Sequence, residues 1–570
     1  MTITINNKEV WANPGETILA VAQREGVHIP TLCYLKNLTP TGSCRICVVE
    51  VEGQRSLVPS CAFPVAEGMK IQTNSPQVRR ARKTIVELLI ANHPQDCLVC
   101  VRNGNCELQK LSEQYEVRDH RYQGERRRAK IDLASPSIER DPEKCILCGR
   151  CVRVCHEVQN VGAIDFVRRG FHSTVAPAMD GSLNTIACVF CGQCVVVCPV
   201  GALREKGSQK GVWEAINNPQ KHVVAQIAPA VRVALGEEFG MEPGSIVTGK
   251  ITAALRRLGV DRVFDTNFGA DLTIIEEAHE LLHRVNNKGV LPLLSSCSPG
   301  WVKYVEHFYP DLLPHVSTCK SPQEMEGAMI KSYYAQKVGI DPKDVFVVSI
   351  MPCIAKKFES QRPELADEYQ DVDAVLTTRE LARMIKAAGI DFTKLTEENF
   401  DDPMGESTGA AAIFGTSGGV LEAALRSAHY YLTGKDMDQI EFSSVRGLAG
   451  VREATVTING LALRVAAVSG LKNVDKFLEG IRNGNSPYHF IEVMACPNGC
   501  INGGGQPIPS DPDKVRKRIE SLYAIDRSLP KRASHHNESI IKLYKEFLGE
   551  PNGHKAHELL HTEFTERGVE

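Results

Sequence analysis

Two cysteine runs of identical spacing constrain this chain more than any other feature. Cys145, Cys148, Cys151 and Cys155 form CxxCxxCxxxC, and Cys188, Cys191, Cys194 and Cys198 repeat it, closing on Cys198-Pro199. In two-centre iron–sulfur domains of this spacing, the fourth cysteine of each run ligates the centre held by the other run. That pairs Cys145, Cys148 and Cys151 with Cys198, and Cys188, Cys191 and Cys194 with Cys155. Zinc also gathers thiolates, but it needs four ligands per site and has no use for the terminal Cys-Pro.

Twenty cysteines, most of them in such groups, read as metal ligands kept reduced; a secreted disulfide protein would be short and loop-rich. At 570 residues the chain is long enough for about three to five domains and a large buried core. Its 66 basic and 69 acidic residues leave a net charge of −3, which argues against a nucleic-acid binder. Met1-Thr-Ile-Thr-Ile lacks a basic start followed by an apolar run, so no signal peptide is evident, and no membrane-length apolar stretch occurs. The expectation is a soluble, cytoplasmic protein.

Two further ligand groups precede the paired runs. Residues 2–11 alternate like a hairpin around Asn6-Asn7, 16–25 form an amphipathic helix, and Cys33, Cys44, Cys47 and Cys61 follow. The long spacer after Cys33 does not form the paired knuckles of a zinc ribbon. After a helix over 76–92, His93, Cys97, Cys100 and Cys106 make HxxxCxxCxxxxxC. A zinc site with three cysteines and one histidine uses the same ligand types, so this motif alone leaves both metals open. In an iron–sulfur centre the neutral imidazole would raise the reduction potential by removing a negative charge. From 111 to 142 the chain is polar and basic around Glu125-Arg-Arg-Arg-Ala-Lys130. A solvated linker face is one reading; a docking patch for an acidic ferredoxin is the other.

From His222 onward, strands and helices alternate without clustered cysteines, as in an α/β domain. Strands are expected at 223–227, 345–350, 372–376, 454–458, 462–468 and 490–493, with a weaker one at 290–294. Helices are expected at 251–258, 272–285, 379–388, 515–523 and 539–547. Three stretches follow strand-like runs: Ser295-Ser-Cys-Ser-Pro-Gly-Trp301, Met351-Pro-Cys-Ile-Ala-Lys-Lys357 and Met494-Ala-Cys-Pro-Asn-Gly-Cys500, which continues into Ile501-Asn-Gly-Gly-Gly-Gln-Pro507. Their cysteines fall at strand ends, where α/β sheets build their sites. Soft thiolates from three distant segments, beside glycines that let backbone approach, suggest a buried iron–sulfur assembly, with structural zinc as the alternative.

These three stretches resemble the signature motifs of the FeFe-hydrogenases, and nearly the whole chain is similar to the large, multi-cluster clostridial type. The resemblance implies an H-cluster: a 4Fe4S cubane joined through a shared cysteine to a two-iron unit carrying carbon monoxide, cyanide and a bridging dithiolate. By motif, Cys353, Cys496 and Cys500 are cubane ligands, Cys500 being the shared one. Ala228 and Pro229 lie against the diiron unit, Gln323, Met351 and Met494 surround it, and Lys356 donates to a cyanide. Glu277, Glu280 and Arg284, sharing one helix face, match the family's proton route together with Ser317 and Cys297. Cys33, Cys44, Cys47 and Cys61 resemble a β-grasp 2Fe2S domain, and the His93 group a 4Fe4S module, giving one 2Fe2S and three accessory 4Fe4S centres in series. One departure stands out. The family's first motif has two adjacent cysteines, a proton carrier and then a ligand, whereas this chain has Cys297 followed by Ser298. Either Ser298 ligates iron as an alkoxide, or Cys297 becomes the ligand and the proton step falls to Ser298. Retention of Glu277, Glu280 and Ser317 favours the first, and Cys319 is left as a spare thiol.

The implied fold is multidomain α+β: a 2Fe2S ferredoxin-like domain (1–78), a 4Fe4S module with one histidine and three cysteine ligands (79–120), a two-cluster ferredoxin-like domain (137–209), a two-lobed α/β catalytic domain (210–510) and a helical C-terminal segment (511–570) similar to a small subunit. The implied function is 2 H⁺ + 2 e⁻ ⇌ H2, with electrons exchanged with ferredoxin or with flavin-NAD(P) subunits of a complex. A slow hydrogen sensor and a non-catalytic iron–sulfur carrier or assembly protein of the same fold are the alternatives. His279-Glu-Leu-Leu-His283 and His557-Glu-Leu-Leu-His561 satisfy HExxH without an identified third ligand. Gly244 to Lys250 imitates a phosphate loop, but Ile251 stands where Ser or Thr is needed, so all three are read as coincidences. No GxGxxG follows a strand, which puts nicotinamide or flavin on another chain.

Overall fold

The structure, a computed structural model, describes residues 1–118, 121–366, 368–438, 440–458 and 460–568. The chain forms two compact units, one of residues 1–158, 162–186 and 197–204, the other of 159–161, 187–196 and 205–570. The division runs through the paired cysteine runs. Cys145, Cys148, Cys151, Cys155 and Cys198 belong to the first unit; Cys188, Cys191 and Cys194 belong to the second.

In the first unit, β1 (Thr2–Ile5) and β2 (Lys8–Trp11) pair as the expected hairpin, turned by Asn6 and Asn7 at positive φ. With β3 (Val48–Val51), β4 (Val58–Pro59) and β5 (Lys70–Gln72) they make a five-stranded sheet in the order β2-β1-β5-β3-β4. Helix α1 (Ile18–Arg24) is shorter than the 16–25 expectation because Thr17 caps it, accepting from the Ala20 amide. It buries Ile18, Leu19, Val21 and Ala22 in the same core as Ile3, Ile5 and Ile71. Helix α2 (Pro76–Ala91) is capped by Ser75 and anchored by buried Arg82, which donates to the Val48 carbonyl at 2.8 Å. It leads to His93, and α3 (Glu107–Gln114) starts directly after Cys106.

The second unit contains two four-stranded sheets. β6 (His222–Ile227), β7 (Arg262–Asp265), β9 (Val345–Met351) and β10 (Ala374–Thr377) form an all-parallel sheet in the order β7-β6-β9-β10. Its central strands are apolar apart from His222, Gln226 and Ser349, and mostly buried because both faces are covered. The other sheet is β8-β13-β12-β11, built from β8 (Leu293–Leu294), β11 (Val451–Ile458), β12 (Leu461–Ser469) and β13 (Phe490–Met494). Here β8, β13 and β12 run parallel and β11 antiparallel. These are the two α/β lobes that alternation predicts, and the weak 290–294 strand shrinks to two residues.

Helix α4 (Thr248–Leu258) takes up the end of the phosphate-loop mimic, and α5 (Thr266–Asn286) is the long element of this unit. Asp265 caps α5 by accepting from the Asn267 amide and is held by Arg232 at 2.6 Å. α6 (Pro299–Phe308), α7 (Pro322–Met329), α8 (Lys356–Glu359), α9 (Thr378–Ala387) and α10 (Gly419–Thr433) follow. The C-terminal segment comprises α11 (Pro512–Ser528), α12 (Glu538–Leu543) and α13 (His554–Leu560). The helix expected over 539–547 thus divides into α12 and a wider turn over Tyr544–Leu548. Among the described residues no helix is long and apolar enough to cross a membrane.

Candidate active site

Strand ends of both sheets converge. Ile227 leads into Ala228-Pro229, Met351 into Pro352-Cys353, Leu294 towards Cys297, and Met494 towards Cys496. Around them lies a cavity of ≈ 60 Å³, lined by Ala228, Pro229, Cys297, Gln323, Met351, Cys353, Lys356, Phe414, Met494 and Cys500, with almost no polar wall. Cys496 lies just behind, its Sγ 3.9 Å from the Cys191 carbonyl oxygen. Burial raises the Cys353, Cys496 and Cys500 thiols, Cys500 to about 12, and Cys353 adds to the shift of the other two. Three thiols crowded into a dry pocket stay protonated unless a cation takes the charge, which is the condition of a metal-ligand set.

The glycines after Cys500 are what allow this approach. A Cβ on Gly503 would stand 2.4 Å from the Pro352 carbonyl oxygen, and one on Gly504 2.8 Å from that of Cys191. Only bare backbone fits between the Cys353 loop and the Cys191 loop.

Lys356 reaches this pocket with partners the sequence did not reveal. Its Nζ donates to Ser321 Oγ and Glu359 Oε2, both at 2.6 Å, and to the Cys297 carbonyl at 3.4 Å. Burial opposes its charge, but Glu359 more than offsets this and holds the ammonium above its usual pKa. Gln323 shares Glu359 through its Nε2 at 3.2 Å, while its buried Oε1 has no hydrogen-bond partner. A buried orphan acceptor on the wall of an apolar cavity fits a site shaped for a group that the chain itself does not supply.

On α5, Glu277 and Glu280 are buried, so this is not a solvated helix face. Arg284 donates to Glu280 Oε1 at 2.6 Å, and Ser317 Oγ to Glu280 Oε2 at 2.6 Å. The Glu277 carboxyl, whose buried Oε2 has no hydrogen-bond partner, is pushed up to about 8 by burial and by the charges of Glu280 and Glu492. Glu277 in turn acts electrostatically on Cys297, a thiol driven well above its ordinary range by burial. Arg284, Glu280, Ser317, Glu277 and Cys297 therefore form a file from the partly exposed Arg284 to the cavity. Cys319 borders it, its Sγ 3.9 Å from Glu280 Oε2.

Ser298 is placed differently from Cys297. It is the N-cap residue of α6, its Oγ accepts from the Ala495 amide at 3.2 Å, and it does not line the cavity. It thus stands on the side of Cys496, whereas Cys297 faces the cavity.

In the first unit, hydrogen bonds from Cys44 and Cys61 draw the Cys33 thiol down, and one from Cys61 brings Cys47 to about 7. Arg153 donates to the Cys33 carbonyl. Cys145, Cys148, Cys151 and Cys198 line one small cavity of ≈ 30 Å³, the grouping that the run spacing predicts. Cys155 belongs to this unit, away from that cavity's lining. His93 is held neutral by burial, with Nδ1 buried and unpartnered, and Cys100 stands beside Gly201. Among the described residues no three cysteine sulfurs gather within 4.8 Å of one another. Tetrahedral zinc with Zn–S bonds of ~2.3 Å needs sulfur–sulfur edges of ~3.8 Å, so the wider spacing suits clusters.

The basic stretch lines an open cleft of ≈ 620 Å³ with Arg140, Arg168, Asp132 and Asp180. Arg127 is engaged by the carbonyls of Ser173 and Cys145. Neither HExxH pair gathers a third donor among the described residues; His561 instead hydrogen-bonds Glu276 at 3.1 Å and Thr318 at 2.8 Å.

Comparison with known proteins agrees in order along the chain. Residues 1–76 match the 2Fe-2S iron-sulfur cluster binding domain, 82–121 the NADH-ubiquinone oxidoreductase-G iron-sulfur binding region, and 135–204 the ferredoxin-like domain of NADH-quinone oxidoreductase subunit 3. Residues 221–504 match the iron only hydrogenase large subunit, C-terminal domain, and 512–567 the iron hydrogenase small subunit. The chain is 50% identical to the NADP-reducing hydrogenase subunit HndD of Solidesulfovibrio fructosivorans, over 100% of this chain and 99% of that one. It is 44% identical to iron hydrogenase 1 of Clostridium pasteurianum over 99% of each. The solved FeFe-hydrogenase HydA1 of Chlamydomonas reinhardtii aligns at 43% identity with a TM-score of 0.58, covering 64% of this chain and 100% of that one. A catalytic hydrogenase domain carrying the cysteine-lined cavity, preceded by 2Fe2S- and 4Fe4S-binding modules and matched along its whole length, places the chain in the iron-only, or FeFe-, hydrogenases.

Proposed function

We propose that the chain interconverts protons and H2 at the cavity of the second unit, with electrons passing through one 2Fe2S and three accessory 4Fe4S centres. The residues fit an H-cluster: Cys353, Cys496 and Cys500 would hold it, with Ser298 as a fourth ligand, and Lys356 and Gln323, which line the cavity, would face it. When bound, that cluster supplies the place where two electrons and two protons become H2. The chain supplies the proton route and the dryness. Arg284 holds Glu280 at the entrance, Ser317 donates to Glu280, and Glu277, protonated at neutral pH, is the next group of the file before Cys297. The apolar wall excludes water, so charge placed there is poorly screened and Lys356 acts strongly on an anionic ligand.

The observation that carries this reading is the meeting, in one unit, of three thiols from two distant segments with a buried file of proton-exchanging groups. The retained file favours an enzyme over a slow sensor or a carrier. Similarity to a subunit of an NADP-reducing hydrogenase supports flavin-NAD(P) subunits, with or without ferredoxin, as the electron partners. Cysteines committed to clusters rather than to disulfides suit the reducing cytoplasm. The test is to mature the protein with its diiron cofactor and record infrared bands of bound carbon monoxide and cyanide together with H2 turnover. Bands with fast turnover are expected. Bands with slow turnover would mean a sensor, and no bands a carrier.

A further inference from the structure

Helix α6 begins at the Cys297–Ser298 motif and carries, just over one turn on, a buried cation with no carboxylate of its own. Lys303 is 5% exposed. Its ammonium sits 4.7 Å from the centre of the Phe190 ring and 5.4 Å from that of Phe358. It donates to His307 Nε2 at 2.8 Å. The His307 tautomer is fixed, because Nδ1 faces the Arg567 carbonyl at 3.0 Å and must donate to it. Nε2 is therefore a lone-pair acceptor, and burial next to Lys303 and Arg567 holds the ring neutral, at about 4.

The neighbouring charges already cancel. Arg362 and Arg567 each pair with both Glu306 and Glu364. Two cations against two carboxylates leave Lys303 uncompensated, and among the described residues no carboxylate oxygen lies within 4 Å of its nitrogen. A buried unpaired ammonium is costly, and burial draws Lys303 down to about 8. What opposes this first is the charge of Cys188. Phe190 lies between Cys188 and Cys191, and a Cβ on Gly300 of α6 would stand 3.3 Å from the Val189 carbonyl oxygen. The helix thus lies directly on the Cys188–Cys191 loop and points its free cation towards it.

We propose that Lys303 is the fixed counter-charge of the 4Fe4S centre held by Cys188, Cys191 and Cys194, raising that centre's reduction potential. A thiolate-ligated cluster is anionic and gains a further negative charge on reduction, so a desolvated cation beside it favours the reduced form. The aromatic faces and the neutral His307 hold the ammonium in place without neutralising it. Lys303 is a positioning charge and touches no substrate. The proposal rests on the reading that these cysteines bind a cluster, and the experiment separates the two.

An EPR-monitored redox titration of the matured wild type, Lys303→Met and Lys303→Arg, with iron and sulfide assayed in each, reads the potential directly. One 4Fe4S signal should move to lower potential in Lys303→Met and stay within error of wild type in Lys303→Arg, which keeps the charge. Should Lys303→Met bind less iron, Lys303→Gln carries the same expectation, since its amide can still donate to His307. Unmoved midpoints in the uncharged variants, or an equal fall in Lys303→Arg, would overturn the proposal. Carbon monoxide and cyanide bands intact in all variants would show that the catalytic site had not failed instead.

Discussion

Glu277 shows how far a side chain's chemistry depends on where the chain puts it. A free glutamate titrates near 4.5, but here burial and the charges of Glu280 and Glu492 move the group to about 8. Between those values the folded state keeps a proton that the unfolded state has released. Stability therefore falls as pH rises from about 4.5 to about 8 and levels off above. Glu277→Gln removes that titration, so its melting temperature should gain on the wild type across this window, as calorimetry at several pH values would show. The same variant should lose about 10²- to 10⁴-fold in H2 turnover, the usual effect of removing a proton-transfer group, with its infrared bands unchanged. Ser298 permits a different test. An alkoxide is a harder and more electron-donating ligand than a thiolate, so Ser298→Cys should raise the cubane potential in a redox titration. An unchanged potential would point to Cys297 as the ligand.

Among the elements, the ones legible in the sequence were those with a period or a run. β6, β9 and β13 stand out as mostly apolar stretches, each broken by a polar residue, and the Glu277–Glu280–Arg284 face of α5 follows from spacings of three and four. What stayed hidden were partners from elsewhere in the chain. Glu492 accepts from the Gly418 and Leu421 amides at the start of α10 while its charge bears on Glu277, and no local pattern links β13 to α5. Ser321 and Glu359 likewise meet at Lys356 only once α7 and α8 are packed. α5 also depends on a position that looks ordinary in sequence. A Cβ on Gly269 would lie 2.4 Å from the Pro322 carbonyl oxygen. Gly269→Ala should therefore push α7 and Gln323 from the cavity and destabilise the unit by about 1–3 kcal/mol, as an overpacked core does; a lowered thermal midpoint would show it.

For the molecule as a whole, cysteine spacing foretold the ligand groups but not how they divide. The runs read as one two-cluster domain, and residues 135–204 match one ferredoxin-like domain, while within the fold Ala187–Val196 groups with the catalytic unit. Gly192 and Gly504 account for this, because without side chains the Cys191 loop and the loop after Cys500 can approach almost to backbone contact. Cys198 remains with Cys145, Cys148 and Cys151, so Cys198→Ala should cost one accessory 4Fe4S signal in EPR while the carbon monoxide and cyanide bands persist. The claim on which the rest depends is that the pocket reached by Cys353, Cys496 and Cys500 holds iron. Anomalous diffraction at the iron edge from crystals of the matured protein tests it most directly. The account predicts a cubane of iron peaks against those three sulfurs and a further iron pair in the cavity facing Lys356 and Cys297. A cavity without iron, or a lone zinc peak between the thiols, would contradict it.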